Sequence, residues 1–153
     1  MIAIVIYLII FLGAVIGSLI MCLFFPSYFI EQYKVLIFCT LVGGIGGLVY
    51  CLRGVYLNYC VRKSWDNSWR VWYIIRPVVS LLCGGVSFIF LKAGLLILES
   101  QNKSSATFLA FYAFAFIAGY NVDRFLNKVE DFAQKAWGIE KSRAGKKAEN
   151  EEV

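Results

Sequence analysis

Four long apolar stretches separated by short polar intervals fill the chain as far as Val122, and a charged segment follows them. The first, 2–25, carries no charge at all. A helix crosses a hydrocarbon core with about 20 apolar residues, so this stretch predicts a membrane span. A cleaved signal peptide would want a basic start, a shorter apolar run and a small-residue cleavage site. No Lys or Arg precedes Lys34, and bulky Ile20 and Met21 stand before Cys22, where lipoprotein processing expects small residues. The expectation is a retained first span. Further spans are predicted at 35–52, 77–98 and 106–122. Pro26 marks the stop after the first, Pro77 suits the first turn of the third, and the polar run ESQNKSS separates the third from the fourth.

Small residues at four-residue spacing give three of these spans a face that another helix can approach closely. They are Gly13 and Gly17 in the first, Gly43 and Gly47 in the second, and Ser80 and Gly84 in the third, with Ser87 one turn on. The second span holds the densest cluster, Gly43-Gly44-Ile45-Gly46-Gly47. No Lys-Ser/Thr follows it, so a phosphate loop is not indicated. Each glycine weakens a helix in water by about 1 kcal/mol, and close helix packing is the compensation expected here. Three such faces offer more surface than contacts inside one bundle use, so self-association into a homo-oligomer is expected.

Between the second and third spans lies RGVYLNYCVRKSWDNSWRVWYIIRP, from Arg53 to Pro77. It sets Arg53, Arg62, Lys63, Arg70 and Arg76 against the single acid Asp66. Trp65, Trp69, Trp72 and Tyr73 interleave with these bases at helical spacing. Rings beside cationic heads suit a membrane–water interface, because such side chains are apolar in the body and polar at the tip. Alternating bases and aromatics also suit single-stranded nucleic acid, but the flanking apolar blocks argue for lipid. The expectation is an interfacial connector over 53–76, with Arg62, Trp65, Trp69, Arg70, Trp72 and Arg76 at the lipid headgroups and no direct nucleic-acid contact.

The third span contains the one charge inside any apolar block, Lys92. Its ammonium can snorkel to the interface or line a bundle interior or a wet cavity, and the sequence leaves both open. After Val122 the apolar periodicity does not stop. Phe125, Leu126, Val129, Phe132, Ala133, Ala136 and Trp137 recur at helical intervals opposite Arg124, Asn127, Lys128, Asp131 and Lys135. The fourth span is therefore expected to run on as an amphipathic helix over 123–138, with Phe125, Val129, Phe132 and Trp137 as a docking face for a partner. The remaining 139–153 are charged, poor in aromatics and expected to be disordered.

Composition agrees with this pattern. Apolar residues make up 60% of the 153 positions and charged ones only 16%, against about 45–50% apolar in a soluble domain. The fold class expected is all-α: a polytopic membrane protein with four transmembrane helices and a cytoplasmic extension of the fourth. Bases concentrate in 53–76 and beyond 123, while the other two connectors hold only Lys34 and Lys103. Under the positive-inside rule this places both termini and the middle stretch on the cytoplasmic side of the membrane.

Little chemistry is on offer. Histidine is absent, which removes the commonest metal ligand and general base together. No carboxylate lies within an apolar block, so a proton relay through the bilayer has no carrier. The five cysteines form no CxxC pair and read as small buried residues. No enzyme, metal or cofactor is expected. A pore is a competing function, with Lys92, Ser80, Ser87, Thr40 and Thr107 as its candidate wet groups. An accessory subunit of a larger membrane complex is another.

The four spans, the glycine-rich second span, Trp72-Tyr73…Arg76-Pro77 leading into the third and Gly119-Tyr120-Asn121 leading into a charged helix together resemble the membrane subunit of the bacterial Kiwa phage-defence pair. The resemblance covers the architecture of the chain and carries over no functional residue. It implies an oligomeric inner-membrane sensor or scaffold that works with a soluble, DNA-binding cytoplasmic subunit.

Overall fold

A computed structural model of the protein describes residues 2–24, 31–63, 69–98 and 106–138. Trp65, the connectors around Pro26 and Glu99, and the tail 139–153 lie outside the described residues. Everything described is helical apart from short turns: α1 (Ile2–Phe24), α2 (Glu31–Tyr56), a π-helical turn (Leu57–Val61), α3 (Trp69–Leu98), α4 (Ala106–Tyr120) and α5 (Val122–Trp137). The chain forms two compact units, Met1–Tyr120 and Asn121–Val153.

Three helices of the first unit are long and apolar enough to cross a membrane: Ile2–Phe24, Tyr33–Val61 and Trp69–Lys92. The fourth is apolar but shorter, over Phe108–Tyr120. α1 is apolar all round, with Ile6, Ile9, Ile10, Ile16 and Met21 exposed on its outer surface, as a lipid-facing helix would be. Its inner side sets Ile4, Leu8 and Val15 against Leu48, Cys51 and Val55 of α2 and Tyr73 of α3. A second core cluster joins Cys39 of α2 to Phe111 and Ala115 of α4, with Phe88 and Leu91 of α3 against it.

Pairwise contacts give the helix directions. Tyr7 of α1 donates to the Ile74 carbonyl of α3 at 3.3 Å, and Asn58 and Gly54 lie against Tyr73. Arg53 donates to the Tyr120 hydroxyl at 2.6 Å. At the opposite end, Phe38 pairs with Tyr112 and Phe88 with Phe111. The four helices thus run up, down, up and down. One end gathers the start of α1, the π turn, the start of α3 and the close of α4.

Glycines set how near α2, α3 and α4 come. A Cβ on Gly43 would lie 2.5 Å from the Gly84 Cα, and one on Gly84 would lie 2.5 Å from the Cys39 carbonyl oxygen. A Cβ on Gly47 would collide with the Ser80 side chain, one on Gly46 with the Phe116 carbonyl, and one on Gly119 with the Gly43 carbonyl. Three backbones therefore touch around Gly43, Gly84 and Gly119. The small faces expected on the second and third spans are consumed inside one chain, and α4 enters through Gly119, which spacing had not singled out. Gly13 and Gly17 meet nothing within 4 Å. The α1 face is open.

Two boundaries differ from expectation. The spans are longer than expected, because helix continues from both sides through most of the interval 53–76. α2 with its π turn covers Glu31–Val61 and α3 covers Trp69–Leu98, each about 45 Å at 1.5 Å per residue. A hydrocarbon core is about 30 Å thick, so each helix is longer than a span needs, and each carries arginine as a helical residue, with Trp69 and Trp72 in α3. Pro77 accordingly lies inside α3 and is fully buried. Its ring removes a backbone donor and crowds the carbonyl four residues back, and in this altered turn the Ile74 carbonyl accepts the Tyr7 hydroxyl.

The second difference is at Asn121. α4 does not run on unbroken: Asn121 leaves helical geometry at φ −112°, ψ 53° before α5 begins. Asparagine hydrogen-bonds locally in non-helical conformations and favours such breaks. α5 then carries Asp123 in its first turn and Lys135 in its last, each placed to complement the helix dipole. Gly138 closes it at φ 67°, its N–H donating to the Gln134 carbonyl at 2.9 Å, a left-handed C-terminal cap.

Candidate functional site

Arg53, Arg62, Trp69, Trp72 and Tyr73 of the interval 53–76 line a cleft of about 630 Å³ at the end where the π turn meets the start of α3. That volume lies within the range of small-molecule sites. The π turn builds one wall. Its wider hydrogen bond, from the Arg62 N–H to the Leu57 carbonyl at 2.8 Å, replaces the usual four-residue step, and such turns re-aim the side chains they carry. Asn58 is thereby buried at 7% exposure, and its amide donates to the Tyr73 hydroxyl at 3.3 Å. Lys63 ends the turn in the left-handed region at φ 52°.

The opposite wall comes from α3. Trp69 and Trp72 stand half open on the cleft, while Tyr73, one residue on, is 1% exposed. Trp72 and Tyr73 meet edge to face, with centroids 5.0 Å apart. Gly54 faces Tyr73 across the floor: a Cβ there would come within 3.0 Å of the Tyr73 hydroxyl. Tyr50 completes the aromatic lining, packing on Trp72 at 5.9 Å and edge-on to Tyr120 at 5.4 Å.

Three arginines give this end its charge. Arg76 is 5% exposed, its guanidinium 4.7 Å from the Tyr50 ring centroid and 5.0 Å from that of Trp72. It was expected at the lipid headgroups. It lies instead beneath the aromatic wall, where a planar, weakly hydrated guanidinium stacks on rings better than an ammonium could. Arg53 and Arg62 are exposed and line the cleft itself. Arg53 is oriented by Tyr120. Among the described residues, no carboxylate lines the cleft.

No protein-family model, curated protein or solved structure matches this chain.

The other expected residues fall in different places. Arg70 is exposed and Trp69 and Trp72 keep open edges. Lys92 is exposed at the far end of α3, its Nζ 5.8 Å from the Phe88 centroid, and so does not enter the interior of the single-chain bundle. Ser80 and Ser87 are fully buried, and each donates to a carbonyl of its own helix, as does Thr40. Their hydroxyls are thus engaged with the backbone of their own helices. In α5, Phe125 and Val129 are half-buried, while Phe132 and Trp137 are exposed and pack edge to face at 5.9 Å. Cys39, Cys51 and Cys83 are buried thiols as expected, but Cys60 on the π turn is exposed. No metal-binding group of His, Cys, Asp or Glu occurs among the described residues.

Sequence reasoning missed Asn58, Tyr50 and Tyr120. Asn58 sits in LNYCV with no periodic partner. Only its polarity inside an otherwise apolar helical run marked it as a residue needing a hydrogen-bond partner.

Proposed function

We propose that this protein is a non-enzymatic, multi-pass protein of a bacterial inner membrane that scaffolds a cytosolic effector. In this reading all four helices of the bundle cross the membrane, with both termini and the arginine-rich end in the cytoplasm. The up-down order supports it, since it returns α4 to the end where α1 begins. So does the clustering of Arg53, Arg62, Lys63, Arg70 and Arg76 near that end, where positive charge marks the cytoplasmic side.

The observation that carries the recruiting role is α5. It is a capped, charged helix with Phe132 and Trp137 exposed as a ring pair. Exposed aromatic anchors on a helix are what a groove-bearing partner reads. On the resemblance to the Kiwa membrane subunit, that partner would be soluble and DNA-binding, and the setting antiviral defence. Self-association would run through α1, whose Gly13 and Gly17 remain open while the other small faces are spent inside the chain.

The test is purification in mild detergent, alone and with the product of the neighbouring gene, followed by mass measurement of each species. A homo-oligomer that captures the neighbour, and loses it in Phe132→Asp and Trp137→Asp variants, is expected. Capture that survives both substitutions would remove α5 as the docking element.

A further inference from the structure

The cleft at the π turn has a composition that neither bundle packing nor partner recruitment requires. We infer that it binds the phosphate headgroup of an anionic phospholipid, with Arg53 and Arg62 as the groups that hold the phosphate.

The charge of the cleft selects an anion. Two exposed guanidinium groups line it, and among the described residues no carboxylate does. A third guanidinium, Arg76, lies behind the wall. Guanidinium forks match phosphate oxygens two at a time and form charge-assisted hydrogen bonds. The rings could in principle hold a cation such as a choline group. That role is already taken on Tyr50 and Trp72, where the Arg76 guanidinium sits within 5.0 Å of both centroids. A second cation would meet three positive charges.

The site is built and not merely charged. Arg53 is held by the Tyr120 hydroxyl at 2.6 Å. The floor is made of buried groups, Tyr73 and Asn58, fixed to one another. An extra turn width in α2 and a glycine at position 54 make room for them. Anion-binding groups positioned this way lose little freedom on binding.

The surroundings point to a lipid as the carrier of the phosphate. The cleft opens at the overhanging ends of two candidate spans, Tyr33–Val61 and Trp69–Lys92. Val61, Val71 and Ile74, each next in sequence to a residue lining the cleft, are exposed and apolar. An acyl chain can lie on these residues while its headgroup enters between Arg53 and Arg62. Half-open tryptophans such as Trp69 and Trp72 prefer the same depth. The assignment rests on the membrane orientation proposed above, but not on partner recruitment or on α5.

The test uses the full chain in a neutral detergent and reads the emission of its tryptophans, two of which line the cleft. Short-chain phosphatidylglycerol, short-chain phosphatidylcholine, glycerol phosphate and adenosine monophosphate are titrated separately. Saturable change with phosphatidylglycerol is expected, at least tenfold tighter than with the other three. Arg62→Gln, an exposed residue on the rim, should weaken it about tenfold, and Arg53→Gln should do the same provided the helical circular dichroism is unchanged. Trp137→Phe should leave it intact. Equal response to phosphatidylglycerol and phosphatidylcholine, or indifference to Arg62→Gln, would overturn the anion site. Saturation by glycerol phosphate or adenosine monophosphate as tight as by phosphatidylglycerol would overturn the lipid and make the ligand a soluble phosphate ester. Loss of partner capture in Trp137→Asp with lipid binding retained would separate this result from the recruiting role.

Discussion

Gly43 and Gly84 stand back to back where α2 crosses α3, so close that a Cβ on Gly43 would lie 2.5 Å from the Gly84 Cα and 2.9 Å from the Ser80 carbonyl oxygen. Both obstacles are backbone, which cannot swing aside as a side chain can. Gly43→Ala should therefore force the helices apart and destabilise the bundle by about 1–3 kcal/mol, the usual cost of overpacking. Gly13→Ala adds the same methyl where no described residue of the chain lies within 4 Å, so in the detergent-solubilised monomer it should be neutral or slightly stabilising through helix propensity, any loss being confined to self-association through α1. Denaturant unfolding in detergent measures both. Similar losses at the two positions would contradict the crossing described here.

The contrast shows what could be read from the chain and what could not. Gly13/Gly17 and Gly43/Gly47 look alike as sequence, with equal spacing in equally apolar surroundings. Spacing reports that a face is small; only the fold says whether a neighbour fills it. The positions of the helices were legible because apolar runs and Pro or polar breaks are local signals. The helical spacing of the bases and tryptophans in 53–76 was legible, but not that this helix is continuous with the apolar runs on either side. The cleft itself was half legible. Its arginines and tryptophans were singled out, but the π turn shifts the helical phase, and no periodicity could reveal that Asn58 faces Tyr73.

That buried pair makes a second prediction. The Asn58 amide and the Tyr73 hydroxyl are both shielded from solvent, and removing one side of a buried hydrogen bond costs about 1–3 kcal/mol. Tyr73→Phe and Asn58→Leu should each destabilise by that order. The double variant should lose clearly less than the sum, since the two residues are coupled. A strictly additive double-mutant cycle would show that they do not act together.

Arg76 tests the aromatic wall. Its guanidinium stacks on two rings, an arrangement that depends on a flat cation. Arg76→Lys preserves the charge yet should lower stability by about 1–2 kcal/mol, within the range of desolvated cation–π contacts. It should also change the emission of Trp72 by removing the group over its ring. If charge alone mattered, the lysine variant would match the parent in thermal unfolding and in emission.

Cys60 offers a direct reading of membrane orientation. It is exposed on the π turn, while Cys39, Cys51 and Cys83 are buried in the bundle. α2 with its π turn is about 45 Å long, some 15 Å more than the hydrocarbon core. A thiol two residues before Arg62, near the end of that helix, therefore projects into water if the arginine-rich end overhangs the membrane. To remove ambiguity from Cys22, which is only partly covered, the measurement is made on a Cys22→Ala background. A membrane-impermeant maleimide should label Cys60 in inverted vesicles and leave it unmodified in intact spheroplasts. Cys60→Ala should abolish the signal, since the buried thiols react only after denaturation. Labelling in spheroplasts would invert the orientation. It would place the lipid cleft in the outer leaflet, and it would put the charge asymmetry between 53–76 and the other connectors at odds with the positive-inside rule.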